Sequence, residues 1–221
     1  MARRTVVLVE GPSDRVALEC LAERLACDLA ARAVAILDVG GITNFRAYLL
    51  RYGPLGQRLR IAGLCDFNEC AVLQRALASS GWPAELTLES LPAHGFFVCR
   101  GDLEDKLLAA VGVPTVLRLI EQHGDLPRFR SMQRQLAYRS ASLETQVRHL
   151  MTQKKIAYAP ALNAALRLSR VPAPLANVLR YATASTKPYT PLAGLLGRTP
   201  PRWPPRGWVQ SGWARAFRHP R

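Results

Sequence analysis

Three carboxylates in the first 70 residues stand at or just past the ends of apolar runs, where side chains of this type can do metal chemistry. Glu10 closes the run from Thr5 to Val9, Asp14 follows it by four residues, and Asp66 closes the run from Ile61 to Cys65. Glu69 and Glu104 extend the set from later in the chain. Carboxylates gathered at one place repel one another and raise each other's pKa unless a cation neutralises them. Hard oxygen ligands select Mg²⁺ or Mn²⁺ over zinc. Two such ions would clamp the attacking and leaving oxygens of a phosphodiester. For any one of these acids, complementing a helix dipole or solvating a surface is the simpler role. The metal reading rests on Glu10, Asp14 and Asp66 together, each at a strand end.

The elements that would position them follow from the local pattern. TVVLV is a short apolar run of the kind a strand buried on both faces shows. Gly11 and Pro12 break it. Ser13 is expected to cap the helix that Val16, Leu18, Leu21 and Leu25 mark at helical spacing. A second strand, Val34 to Val39, ends on Gly40-Gly41, and Thr43 and Asn44 can cap a helix over Phe45 to Tyr52. The third strand stops at Asp66 and leads into a helix from about Cys70 to Ser80; Phe96 to Cys99 is a fourth. Asp102, Glu104 and Asp105 precede a helix carrying Leu107, Leu108 and Val111. Strands alternating with helices predict an α/β fold with a parallel, doubly wound sheet, in which the carboxyl ends of the strands form the ligand crevice.

Beyond Gly112 only helices are expected: Pro114 to Gly124, Pro127 to Tyr138, Ser142 to Gln153, about Ala161 to Leu168, and a short one through Leu179. From about Ser185 the sequence is Pro, Gly, Trp and Arg without periodicity, a composition expected to stay mostly disordered. The division is therefore an α/β core over 1–112, a helical extension over 113–184 and a basic tail over 185–221.

Charge follows the same division. Residues 1–144 hold 17 Lys and Arg against all 16 acids, whereas residues 145–221 hold 13 Lys and Arg and no acid. An acidic site beside a cationic C-terminal third suits a polyanion bound by one part and cut or read at the other. Solubility, or a basic tail without a partner, is the alternative. No apolar run approaches the length of a membrane span, and MARRT leads straight into the first strand without the apolar segment of a signal peptide, so a cytoplasmic protein is expected. The five cysteines, Cys20, Cys27, Cys65, Cys70 and Cys99, form no CxxC pair and read as buried thiols rather than zinc ligands.

VEGPSD after the first strand, VGG after the second, LCDFNE after the third and GDLED later resemble a TOPRIM domain. More narrowly, they resemble the TOPRIM domain of the overcoming-lysogenization-defect (OLD) family of nucleases in its stand-alone form, over about residues 5–180. In TOPRIM proteins, which include topoisomerases, bacterial primases and recombination-repair proteins, a glutamate after strand one and a D-x-D pair after strand three coordinate Mg²⁺ for phosphoryl transfer. The resemblance implies a Rossmann-like TOPRIM sheet flanked by helices with an all-helical C-terminal extension. It makes Glu10, Asp14 and Asp66 metal ligands, and Glu104 the acid of a later L-E element. The position two beyond Asp66 is Asn68 rather than Asp, which weakens the second metal site unless Glu69 takes over that ligand role. Lys155 matches the lysine that precedes a helix and stabilises charge on the scissile phosphate, with Lys187 as its rival.

Larger relatives fuse this domain to an ABC-type ATPase, but the sequence contains no G-x-x-x-x-G-K-[ST] loop, so ATP dependence would require a separate partner. Two functions follow from the resemblance and the charge. One is a Mg²⁺- or Mn²⁺-dependent nuclease or nucleotidyl transferase/hydrolase acting on DNA, with catalytic Glu10, Asp66 and Lys155. The other is a nucleic-acid-binding or regulatory module, weakened at Asn68, that serves an ABC-type ATPase.

Overall fold

The computed structural model describes residues 4–101 and 103–184, and the expectations for Asp102, Lys187 and the tail lie outside them. Four parallel strands, β1 (Thr5–Val9), β2 (Val34–Asp38), β3 (Arg60–Asp66) and β4 (Phe96–Cys99), form one sheet in the order β2-β1-β3-β4. From β1 the chain goes first to β2 on one side and then to β3 on the other. The topological switch point is therefore between β1 and β3, the strands that end at Glu10 and Asp66.

Helices cover both faces, which is why β1 and β3 are apolar without alternation. On one face α1 (Pro12–Arg24), α4 (Leu103–Val111) and α9 (Ala173–Thr183) bury Leu18, Leu21, Leu103, Leu107, Leu175 and Val178 against Val7, Val9, Leu64 and Phe97. On the other, α2 (Phe45–Tyr52) and α3 (Cys70–Ala78) contribute the fully buried Phe45, Leu49, Leu73 and Leu77. Packing there is close: a Cβ on Gly63 of β3 would stand 2.7 Å from the Phe96 ring. Gly95, with φ +90°, would likewise meet the Tyr181 ring of α9 at 2.5 Å.

The helical segment has its own core. Helices α5 (Val113–Gln122), α6 (Leu126–Gln133), α7 (Leu143–Gln153) and α8 (Lys155–Ala165) surround Val116, Ile120, Phe129, Val147, Leu150 and Tyr158. As the sequence predicts, Ser142 caps α7, its Oγ accepting the Thr145 N–H at 3.2 Å. The segment is tied back to the sheet at both ends, because α8 packs along α1 and α9 returns to β1, β3 and β4.

Three local expectations differ. Gly11, not Ser13, is the N-cap of α1; Pro12 takes the first helical position, for which its fixed φ is suited, and Ser13 is buried in the first turn. The helix expected from Ala161 begins at Lys155 and runs through Pro160. Proline removes the hydrogen bond to the carbonyl four residues back, but Pro160 and Ile156 are both exposed, so water can serve that carbonyl while Tyr158, Ala159 and Leu162 bury the other face. The helix expected to reach Tyr138 ends at Gln133, and turns carry the chain to Ser142.

Candidate active site

A cavity of about 390 Å³ opens at the carboxyl edge of the sheet, at the switch point. Glu10, Asp14, Asp66 and Lys155 all line it, with Gly40, Gly41, Cys65, Cys99 and Leu103 completing the wall. Residues from five separated stretches of sequence thus meet at one place.

Backbone hydrogen bonds hold the acids in position. Glu10 directly follows β1, and its Oε1 accepts the Asp66 backbone N–H at 3.0 Å, joining the tips of the two central strands. The Glu10 carbonyl accepts the Gly41 N–H at 2.8 Å, which draws the loop after β2 over the same edge. Gly41 has φ +109° and space where a side chain would be, so the loop closes on the cavity with backbone alone. Asn44 fixes that loop by donating from Nδ2 to the Val39 and Gly40 carbonyls at 2.8 and 3.1 Å. Asp14 Oδ2 accepts the Gly11 N–H at 3.0 Å, closing the first turn of α1.

Lys155 arrives from the helical segment. It is the first residue of α8, and α1 and α8 run side by side in the same direction: their N-terminal ends share the cavity, while Arg24 at the far end of α1 donates from Nη1 to the Asn163 carbonyl near the end of α8. Asp125 sets the corner between α7 and α8. It accepts from Lys154 Nζ at 2.5 Å and from the Tyr158 hydroxyl at 2.7 Å. The Lys154 contact, followed by that of Tyr158, holds the Asp125 carboxyl below its ordinary value. Burial, reinforced by the Asp125 hydrogen bond, keeps Tyr158 protonated as the donor.

Two other acids are placed differently. Asp38, at the tip of β2, pairs with Arg15 Nε at 3.2 Å. Glu69 is the N-cap of α3 and is not among the residues lining the cavity; Asn68 beside it is exposed. Glu104 lies in the first turn of α4, and the expectation for its side chain falls outside the described part. All five cysteines are free thiols, and burial, with Cys70 and Glu10 nearby, pushes the Cys65 thiol well above its usual value. Three carboxylates around one cavity, with a thiol that resists ionisation, are in kind a donor set for a hard divalent cation. Among the described residues, however, no three His, Cys, Asp or Glu side chains are already drawn together as a coordination shell.

The sequence pointed to all four of these polar side chains but missed what arranges them. Asp125 precedes Leu126-Pro127 and has the look of a helix cap. It is the N-cap residue of α6, but its carboxylate is spent on Lys154 and Tyr158, 29 and 33 residues away. Only long-range contacts reveal that use.

The four-stranded parallel sheet flanked by helices is the fold that the TOPRIM resemblance leads one to expect. Residues 3–62 match the family model of the overcoming-lysogenization-defect-protein-like TOPRIM domain. Among solved structures, the chain is similar to the C-terminal region of the Xanthomonas campestris pv. campestris OLD protein at 25% identity, over 82% of this chain and 92% of that one, with a TM-score of 0.67. The C-terminal region of the Burkholderia pseudomallei OLD protein has the same fold at 21% identity, over 83% and 98%, with a TM-score of 0.64. Comparison with curated proteins gives no match. The chain thus has the fold of the OLD C-terminal regions, and its residues 3–62 match the OLD-like TOPRIM domain, a family that at large implies metal-dependent phosphoryl transfer on nucleic acid. Among the described residues no helix is long and apolar enough to cross a membrane.

Proposed function

We propose that this protein is a divalent-metal-dependent DNA nuclease of OLD-like TOPRIM type. The observation that carries the reading is the convergence of Glu10, Asp14, Asp66 and Lys155 on one cavity at the switch point. Glu10, Asp14 and Asp66 are the residues that would hold Mg²⁺ or Mn²⁺. Glu69 and Glu104 are the carboxylates left for a second ion. A bound ion would supply charge for the attacking and leaving oxygens of the phosphodiester.

The protein's own groups have distinct tasks. Lys155 presents a cation to the non-bridging oxygens, where negative charge grows as the phosphate is attacked, and it does so at a helix N-terminus that favours anions. Gly40 and Gly41 let the DNA backbone come close. The Glu10 to Asp66 hydrogen bond keeps the two strand tips in register, so the acids are positioned before substrate arrives. The cationic C-terminal third would bind phosphates away from the cut. A separate ABC-type ATPase would be the source of any ATP dependence, and a cytoplasmic setting suits the free thiols. Cleavage of plasmid DNA by the purified protein in Mg²⁺ or Mn²⁺, lost with Glu10→Gln and Asp66→Asn, tests this reading.

A further inference from the structure

A second concavity, of about 260 Å³, lies along the open side of β4, next to the acidic cavity but outside it. Among the described residues β4 ends the sheet. The Gly95 carbonyl accepts the Gly63 N–H at 3.0 Å, so the alternation of a parallel ladder turns the backbone groups of Phe96 and Val98 away from β3, toward the groove they line. Phe67, Pro92 and Val98 give it apolar walls, and Glu89, Arg100 and Asn177 are its polar groups. Asn177 Oδ1 accepts from Arg180 at 3.1 Å, so what Asn177 offers a ligand is its amide N–H.

The two cavities share a wall. Asp66 lines the first and Phe67, the next residue, lines the second; Cys99 lines the first while Val98 and Arg100 line the second. Consecutive residues are about 3.8 Å apart, so a nucleotide whose phosphate lies by Asp66 brings its own or its neighbour's base within reach of Phe67. Phe67 is 45% exposed, although other large apolar side chains in these strand-end segments are buried. An extended peptide adding a strand is the other occupant an edge groove can take, but β4 offers only four residues, fewer than the commonest strand length of about 5–6. An aromatic ring and a guanidinium are, by contrast, the side chains on which unpaired bases stack.

We propose that the groove beside β4 is a base-binding subsite, in which Phe67 stacks on an unpaired base while Glu89 and Asn177 meet its edge and Arg100 its flanking phosphate. The preferred substrate then carries an unpaired nucleotide next to the cut. The inference rests on the nucleic-acid reading above and deepens it.

The test uses the full chain in Ca²⁺ in place of Mg²⁺ or Mn²⁺, with the DNA checked to be intact after binding, and takes a fluorescent thymidine decamer, a series of the same decamer with one abasic position moved along it, and a closed-end DNA duplex. Phe67→Ala is expected to weaken decamer binding by about ten-fold, the scale of one lost base stack, and Phe67→Tyr to retain it. At one position the abasic change should cost the parent protein a similar factor and Phe67→Ala nothing further. Duplex binding should be equal in all three proteins. Equal decamer binding by Phe67→Ala, an equal loss on decamer and duplex, additive losses at every abasic position, or a parent protein that binds no decamer each overturn the subsite. A parent protein that shows the expected pattern yet nicks no plasmid supports the subsite and defeats the nuclease reading alone.

Discussion

Glu10 and Asp66, 56 residues apart in sequence, are joined tip to tip: the Glu10 carboxylate accepts the backbone N–H of Asp66 at 3.0 Å. One side chain is thereby both a candidate ligand and a clamp between β1 and β3. The two roles separate by substitution. Glu10→Ala removes the acceptor and should cost about 1–3 kcal/mol of stability. Glu10→Gln keeps an acceptor oxygen and should unfold nearer the parent protein in urea. If the two variants unfold together, the hydrogen bond does not clamp the strands.

Lys155 is exposed at the start of α8, so its replacement should leave the fold unchanged. Lys155→Met should instead lower the single-turnover cleavage rate by about 10²–10³-fold, as loss of one preorganised charge donor does. Undiminished cleavage by Lys155→Met, with loss in Lys187→Met, would transfer the role to Lys187.

Asp125 couples stability to pH. Because its folded pKa lies below the ordinary 3.8, its contribution is fully present above that value and is lost as pH falls through the folded one. The stability difference between the parent protein and Asp125→Asn should therefore be full at neutral pH and shrink in acid below 3.8. A difference that stays constant into acid means that the Lys154 and Tyr158 contacts do not depend on the charge of Asp125.

Truncation before Ser185 removes Lys187 and six arginines, Arg198, Arg202, Arg206, Arg215, Arg218 and Arg221, while Glu10, Asp14, Asp66 and Lys155 remain. DNA binding should weaken, and its log-log salt slope should flatten by up to about 6, since each phosphate contact contributes about 0.9 on duplex DNA. Cleavage at saturating DNA should persist. An unchanged slope would show that the tail does not touch the phosphates.

The sheet was readable because each central strand is an apolar run that ends on a carboxylate. α2 and β4 fall on the expected residues, since Asn44, Gly53 and the FFVC run mark them locally. The start of α8 was hidden: Pro160 reads as a helix boundary, and only packing against α1 carries the helix through it. Asp14, Asp66 and Lys155 could be picked out by motif, but their meeting depends on the parallel run of α1 and α8 and on the Asp125 corner, which no local pattern encodes. Phe67 was passed over because one apolar residue between Asp66 and Asn68 carries no periodic signal. Its exposure is visible only once the strand ends are built.

The central claim is that Glu10, Asp14 and Asp66 form a metal-dependent nuclease centre, and nicking of supercoiled plasmid by the purified full chain tests it most directly. The parent protein should nick in Mg²⁺ or Mn²⁺ and stop on chelation. Glu10→Gln and Asp66→Asn, which remove charge with little change of shape, should abolish nicking while their melting transitions stay cooperative. Metal-dependent nicking that persists in both variants, or a parent protein that binds DNA but nicks none in either metal, would contradict the account.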